Sequence, residues 1–384
     1  MRRILGGILI ASVVCLDAKE TLKVLANQQD FTLGAAAGLT FFAVNQPYKD
    51  LLRQEYNTVV SEYQMKFGQL QPERGAYRWI ASDSLVAFAE HNGMKVRGHC
   101  LVWHKEASFL ATGTFTREEM LAILKEHIHE VVGRYRGKIP QWDVVNEAIS
   151  NNPDSLYRDT FLFRTMGIDY IDSCFRWARE ADPDVQLYYN EYWNEGLGPK
   201  SDKTFEFVKG LKERGVPIDG VGLQCHFRYD SLPSFADMDT NIKRLAGLGL
   251  QVAFTEVDYR IRPPATDSQL AIQKKDYQGT LEVCLANPNC RTFIIWGVAD
   301  DYSSWIPSSY PGWGEALPFG KNFQPKPAYD GLWESLAARV PGVSIGKPPA
   351  RKPAPAGHGY APGLLYLGLW DLLGRREPVG GIIR

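Results

Sequence analysis

The chain lacks several things that would each direct its reading. Six cysteines in 384 residues are too few for a disulfide-stapled scaffold. Charge of one sign is missing too: 43 Lys and Arg stand against 44 Asp and Glu, for a formal net charge of −1. Without a basic stripe to neutralise phosphates, nucleic acid is not an expected partner. No apolar run is long enough to span a bilayer. There is no HExxH, no GxGxxG and no P-loop, so neither a zinc-protease helix nor a seat for a phosphate-bearing cofactor is indicated. His127 and His129 in the run HIHE resemble metal ligands, but residues two apart on a helix do not face each other, and both read as packing or surface histidines. No metal and no cofactor are expected.

What is present points to one large domain with short appendages, since 45% of the residues are hydrophobic and a sizeable core can form. The start, Met1-Arg2-Arg3 followed by an apolar run from Ile4 to Leu16, has the form of a secretory signal ending near residue 18, which implies an extracellular protein. The domain then spans 19–340. Residues 341–363 become a Pro/Gly-rich linker, and 364–384 form a short tail of unknown role, too short in its apolar part to cross a membrane. Without Cys15 five cysteines remain, so at least one stays unpaired in the expected monomer. Cys284 and Cys290 are six positions apart with the turn-forming Pro288 between them, and an oxidising exterior would bridge them; Cys100, Cys174 and Cys225 read as buried thiols.

Strand-like runs ending in polar residues alternate with helix-like runs, the pattern of βαβ units and a parallel sheet. Candidate strands are Leu33–Leu39, Thr58–Ser61, Lys95–Gly98, Gln141–Val145, Gln186–Tyr189, Gly220–Leu223, Gln251–Phe254 and Thr292–Ile295. The clearest helix runs from about Thr116 to Arg136, with Met120, Leu124, Ile128, Val131 and Tyr135 on one face and Gly137 as a stop; another spans Lys203 to Arg214 and ends at Gly215. Eight strands in this alternation predict an α/β fold, a (β/α)8 TIM barrel. Such barrels carry their chemistry at the carboxyl ends of the strands, and the polar clusters fall there: Glu62 with Lys66, His99 with Trp103, Asn146 with Glu147, Asn190 with Glu191, Gln224 with His226, Glu256 with Asp258, and Trp296.

Two of these residues suit one reaction. Glycosidic cleavage needs an acid to protonate the leaving oxygen and a carboxylate across the anomeric carbon. Glu147 ends the run WDVVNE and Glu256 ends QVAFTE, so both follow apolar strands and should share one mouth. The competing reading is that each carboxylate only caps the helix that follows it.

The motifs around them resemble those of glycoside hydrolase family 10, the endo-β-1,4-xylanase family. RGHCLVWH (97–104), WDVVNEA (142–148), LYYNEY (187–192), GVGLQCHF (220–227), FTEVD (254–258), WGVAD (296–300) with a following Trp305, and QPKPAYDGL (324–332) match in content and in order. The resemblance covers roughly residues 22 to 340 and, in the Cys284–Cys290 loop and the stretch SWIPSSYPGWGEAL, is closer to fungal members. It implies a retaining endo-1,4-β-xylanase with xylan and xylo-oligosaccharides as partners, Glu147 as acid/base and Glu256 as nucleophile. Asn146 would bond the 2-hydroxyl of the sugar being cleaved, and His226 would lie between Glu256 and Asp258 to orient the nucleophile. Glu62, Lys66, His99, Trp103, Gln224, Trp296 and Trp305 would line the subsites on the non-reducing side.

The chain departs from the family pattern at Tyr63, where an Asn would ordinarily bond a xylose hydroxyl, at Glu191, where Asp is usual, and at Cys100 and Cys225, where Thr is common. None of these removes a catalytic group. Two other readings stay open: the same machinery acting on a different β-linked substrate, and a secreted carbohydrate-binding protein that has lost turnover.

Overall fold

The computed structural model describes residues 20–105, 108–303 and 305–343. The expected signal at 1–18 and the tail at 364–384 lie outside the described residues, as does the expected linker from residue 344 on.

Among the described residues nine strands form: β1 (Thr32–Ala37), β2 (Thr58–Ser61), β3 (Lys95–Trp103), β4 (Gln141–Asn146), β5 (Gln186–Glu191), β6 (Gly220–Leu223), β7 (His226–Arg228), β8 (Gln251–Arg260) and β9 (Cys290–Ile295). All except β7 close into a ring of parallel strands. Neighbours follow chain order from β1 to β6, β6 then pairs with β8, β8 with β9, and β9 with β1. Helices lie between successive strands, and the predicted (β/α)8 barrel is what forms. Each of the eight predicted strands is present. β1 is shorter than predicted, because the chain turns at Gly38 and Leu39 opens a helix, Leu39–Val44. β3 and β8 are longer, and β7, only three residues long, pairs with the outer end of β8.

The helix predicted from Thr116 forms as Arg117–Arg134, and Thr116 and Glu119 make a reciprocal capping box at its start. The helix predicted from Lys203 begins earlier, at Pro199, and ends at Glu213. His127 is buried, stacked 3.8 Å from the Phe67 ring, with its Nδ1 3.0 Å from Gln71 Oε1; burial pushes its pKa down to about 3. It is a packing histidine, while His129 sits on the surface 3.3 Å from Glu180.

On the helix-facing side of the ring, where Trp142 also meets Tyr135, a large residue packs over a glycine. Gly98 is opposite Trp142 in the β3–β4 register, and a Cβ on Gly98 would lie 2.0 Å from the indole, so only glycine fits there. Arg97 is buried inside the barrel, its guanidinium over the Tyr188 ring and paired with Asp143. The two ends of the domain are tied together near Glu55. Its carboxylate accepts from Leu22 N–H (3.0 Å) and from the Tyr329 hydroxyl (3.3 Å), and Trp333 Nε1 donates to the Glu20 carbonyl (2.9 Å).

Cys284 and Cys290 are bridged, with Cα atoms 5.0 Å apart, and join the last turn of the helix Asp267–Ala286 to the start of β9. Cys100, Cys174 and Cys225 are free and buried. Removing the bridge with Cys290→Ala should cost roughly 2 kcal/mol of stability for so small a loop, seen as an earlier unfolding midpoint. Alkylation of both thiols in protein denatured without reductant would show that no bridge exists.

Candidate active site

Glu147 follows β4 in the left-handed region (φ 60°), a strained conformation for a residue with a side chain. Its N–H donates to the Asn190 carbonyl at 2.9 Å, which pins the bend. Its Oε1 accepts from Gln224 Nε2 at 3.2 Å, and Asn146 Nδ2 lies 3.5 Å away. Its Oε2 has no hydrogen-bond partner among the described residues; the nearest cation there is Lys105 Nζ, 3.9 Å away.

Glu256 lies within β8, and both of its oxygens are engaged. Oε1 accepts from Asn190 Nδ2 at 2.7 Å, and Oε2 faces His226 Nε2 at 3.1 Å. The other ring nitrogen of His226 is 2.5 Å from Asp258 Oδ2, so one imidazole is clamped between two carboxylates. Burial would lower the His226 pKa, but the Asp258 charge and hydrogen bond outweigh it, with Glu256 adding to them, and the value rises to about 10. His226 is therefore an imidazolium at neutral pH. Burial would in turn raise the Glu256 pKa, and it is overcome by the His226 hydrogen bond and the charges of His99, His226 and Lys66. Glu256 ends below its ordinary value and stays ionised.

Asn190 joins the two glutamates. Its NH2 group must face the Glu256 carboxylate, and that same group donates to Asn146 Oδ1 at 3.0 Å, while its carbonyl accepts from the Thr255 hydroxyl at 2.7 Å. Asn146 thus turns its own NH2 towards Glu147. Gly222 on the neighbouring strand makes this possible, since a Cβ there would lie 2.1 Å from Asn190 Oδ1.

The residues predicted on the other strands gather at the same mouth. His99 is buried within β3 with Nδ1 3.0 Å from Asp143 Oδ2. Burial opposes ionisation of Asp143, but Arg97 and His99 overcome it and hold its pKa below the usual value. Trp103 ends β3, and Lys66 Nζ and Lys105 Nζ lie 4.5 and 5.1 Å from its ring centre. Glu62 follows β2, with its N–H on the Ala37 carbonyl and its carboxylate against Gly38. Tyr63 is exposed, and its hydroxyl accepts from Gln69. Trp296 is edge-on to both His99 (5.3 Å) and His226 (6.2 Å), and Trp305 is tilted over His226 at 5.0 Å. Neither glutamate caps a helix: their hydrogen-bond partners are side chains of the strand ends.

Some residues were not picked out as site residues from the sequence. Asn190 was recognised only as a strand-end residue and is the central hydrogen-bond donor. Asp143 carried a usable signal, a charged residue inside the apolar run WDVVNE. Glu191 is buried beneath Glu147: it accepts from the Tyr189 hydroxyl (2.7 Å) and pairs with Lys200 (2.9 Å). Burial raises its pKa, against Lys200 and with Glu147. Among the described residues there is no group of three His, Cys, Asp or Glu side chains placed to hold a metal ion.

Two buried glutamates at the mouth of a (β/α)8 barrel, one held as a carboxylate and one with an oxygen that no described residue bonds, are an arrangement that suits glycosidic cleavage. The chain belongs to glycosyl hydrolase family 10, whose sequence model matches residues 21–335. It is 38% identical over 325 residues to endo-1,4-beta-xylanase B of Thermotoga neapolitana, covering 83% of this chain and 92% of that one. To endo-1,4-beta-xylanase A of Fusarium oxysporum f. sp. lycopersici it is 37% identical, covering 75% and 89%. The crystal structure of xylanase 10B from Thermotoga maritima superposes with a TM-score of 0.80 at 38% identity, covering 83% of this chain and 98% of that one. The bacterial relative is matched over more of both chains than the fungal one, so the expected fungal affinity is not confirmed by them.

Proposed function

We propose that the protein is an endo-1,4-β-xylanase that cuts internal bonds of xylan with retention of configuration, Glu256 acting as nucleophile and Glu147 as acid/base. The observation that carries the role assignment is the unequal treatment of the two glutamates. A nucleophile must be ionised and fixed in place. Glu256 is held below its ordinary pKa by an imidazolium and an amide, one on each oxygen. An acid/base must exchange a proton with the leaving oxygen and then with water, and among the described residues Glu147 keeps one oxygen without a hydrogen bond. Attack by Glu256 on the anomeric carbon, with proton transfer from Glu147, would give a glycosyl-enzyme; Glu147 as base would then activate the water that hydrolyses it. Asn146 would bond the 2-hydroxyl of the reacting sugar. Glu62, Lys66, His99, Trp103, Gln224, Trp296 and Trp305 supply hydrogen bonds and apolar walls for the non-reducing side. His226 and Asp258 hold the nucleophile's charge.

Secretion is part of this reading, supported by the Arg2-Arg3 start with its apolar run and by the Cys284–Cys290 bridge. A fungal affinity rests on that loop and the stretch after Ser303.

Product analysis on xylan, cellulose and mannan side by side tests the substrate. Short xylo-oligosaccharides should appear from xylan far faster than any product from the other two. Faster release from cellulose or mannan would assign the machinery to another polysaccharide, and no release from any would favour a binding protein.

A further inference from the structure

The strand that carries Glu256 continues outward, and successive residues on one face of a strand are two positions apart. Glu256, Asp258 and Arg260 therefore share a face of β8, and Arg262 follows in the same alternation just beyond it, while Tyr259 and Ile261 are buried on the other side. On the neighbouring β7, His226 is in register with Asp258, and Arg228 with Arg260. The charge sequence along this face thus reverses, from the carboxylates beside the cleavage point to three arginines at the rim.

Like charges at paired positions of a sheet are destabilising, and this ribbon places Arg228 directly beside Arg260. Little nearby offsets it. Arg228 pairs with Asp230, but among the described residues Arg260 and Arg262 have no carboxylate partner. Glu315, the acid on the adjoining loop, has its carboxylate on the Ala265 N–H at 3.2 Å. The arginines are nonetheless held in place. The Arg260 guanidinium lies 3.8 Å from the Tyr310 ring centre and donates to the Phe227 carbonyl (3.1 Å), and Arg262 lies over Trp313 at 4.7 Å. The loop bearing Tyr310 and Trp313 is clipped to the strand by paired backbone hydrogen bonds between Ile261 and Gly314, each 2.9 Å. Tyr310 is edge-on to Trp305, with ring centres 6.1 Å apart. Burial raises its phenol pKa, Arg260 opposes this, and Asp258, Tyr192 and Glu147 add to the rise. A fixed, unneutralised pair of guanidinium groups, backed by aromatic rings at the rim of a polysaccharide cleft, is suited to a carboxylate.

We propose that Arg228, Arg260 and Arg262 form a subsite for the carboxylate of a uronic-acid substituent carried by the polysaccharide, a few sugar units or fewer from the bond being cut. This rests on the xylanase reading, because the neutral xylan backbone itself offers nothing to an arginine cluster. The uronate side branch is the acidic group that such a chain can bring to the rim.

The test compares two xylo-oligosaccharides of equal length, one neutral and one bearing a single glucuronate branch. Wild type should cut both, and added sodium chloride should lower kcat/KM for the acidic one selectively. Arg262→Gln and Arg228→Gln should each reduce the acidic-to-neutral ratio of kcat/KM by about three- to tenfold, mainly through KM. An equal loss on both substrates would mean that the arginines only support the loop, and an unchanged ratio with no salt effect would also overturn the subsite. A wild type that cuts neither oligosaccharide would contradict the xylanase reading itself, and the subsite would fall with it.

Discussion

Glu256→Ala should lower kcat on xylan by several orders of magnitude and leave substrate binding in place, because the side chain removed is the attacking atom's carrier and not a main contributor to affinity. Added azide should restore turnover by entering the vacated space and attacking the anomeric carbon directly. A single displacement from that face gives a glycosyl azide of inverted configuration. His226 would lose one of its two carboxylate partners in this variant but keep Asp258, so the fold should persist and the loss should be chemical. Wild-type turnover in Glu256→Ala would remove Glu256 from the mechanism, and an azide product of retained configuration would assign it a different role.

Glu147→Ala should fail in a different way. An activated aryl leaving group departs with little protonation, so formation of the glycosyl-enzyme should survive with an aryl glycoside while hydrolysis of that intermediate slows. Xylan, whose leaving group is a sugar hydroxyl, should be cut several orders of magnitude more slowly. Azide should accelerate the second step and give the product of retained configuration, since two displacements have then occurred. The opposite stereochemistry from the two variants is the sharpest consequence of the assignment. If both variants released the same anomer, the roles of the two glutamates could not be as proposed.

Much of this architecture was legible because apolar, β-branched runs such as VVN and FII are bounded by polar residues, and buried parallel strands read in that way. The strand ends were less so. Lys95–Gly98 was expected to stop before His99, as polar residues commonly close a strand, yet β3 runs on to Trp103. The reason is that His99 is buried against Asp143, which the neighbouring β4 supplies and which also pairs with Arg97, a partnership invisible along the chain. The same holds for β8, which passes through Glu256 and Asp258 because Asn190 and His226 receive their charges. Three-residue β7 carries too little pattern to be seen.

The two glutamates could be found from sequence because each closes an apolar run, WDVVNE or QVAFTE, beside polar neighbours. Asn190 could not be given its role in that way, since its reach to Glu256 and Asn146 depends on Gly222 leaving room across the strand pair. The unequal electrostatics of the glutamates likewise exist only once His226 is clamped between Glu256 and Asp258. The arginine ladder was hidden for a similar reason: Arg228 and Arg260 are 32 residues apart, and only the β7–β8 register brings them side by side.

The central claim, a covalent glycosyl-enzyme on Glu256, is tested most directly by trapping. The intact protein would be incubated with a xylobioside that carries fluorine at C2 and a good leaving group, then digested and analysed by mass spectrometry. A single label, with the mass of the fluorinated sugar and carried on Glu256 in the peptide containing FTEVD, is the predicted result. A label on any other carboxylate, or release of the leaving group in stoichiometric burst without any covalent adduct, would contradict the account.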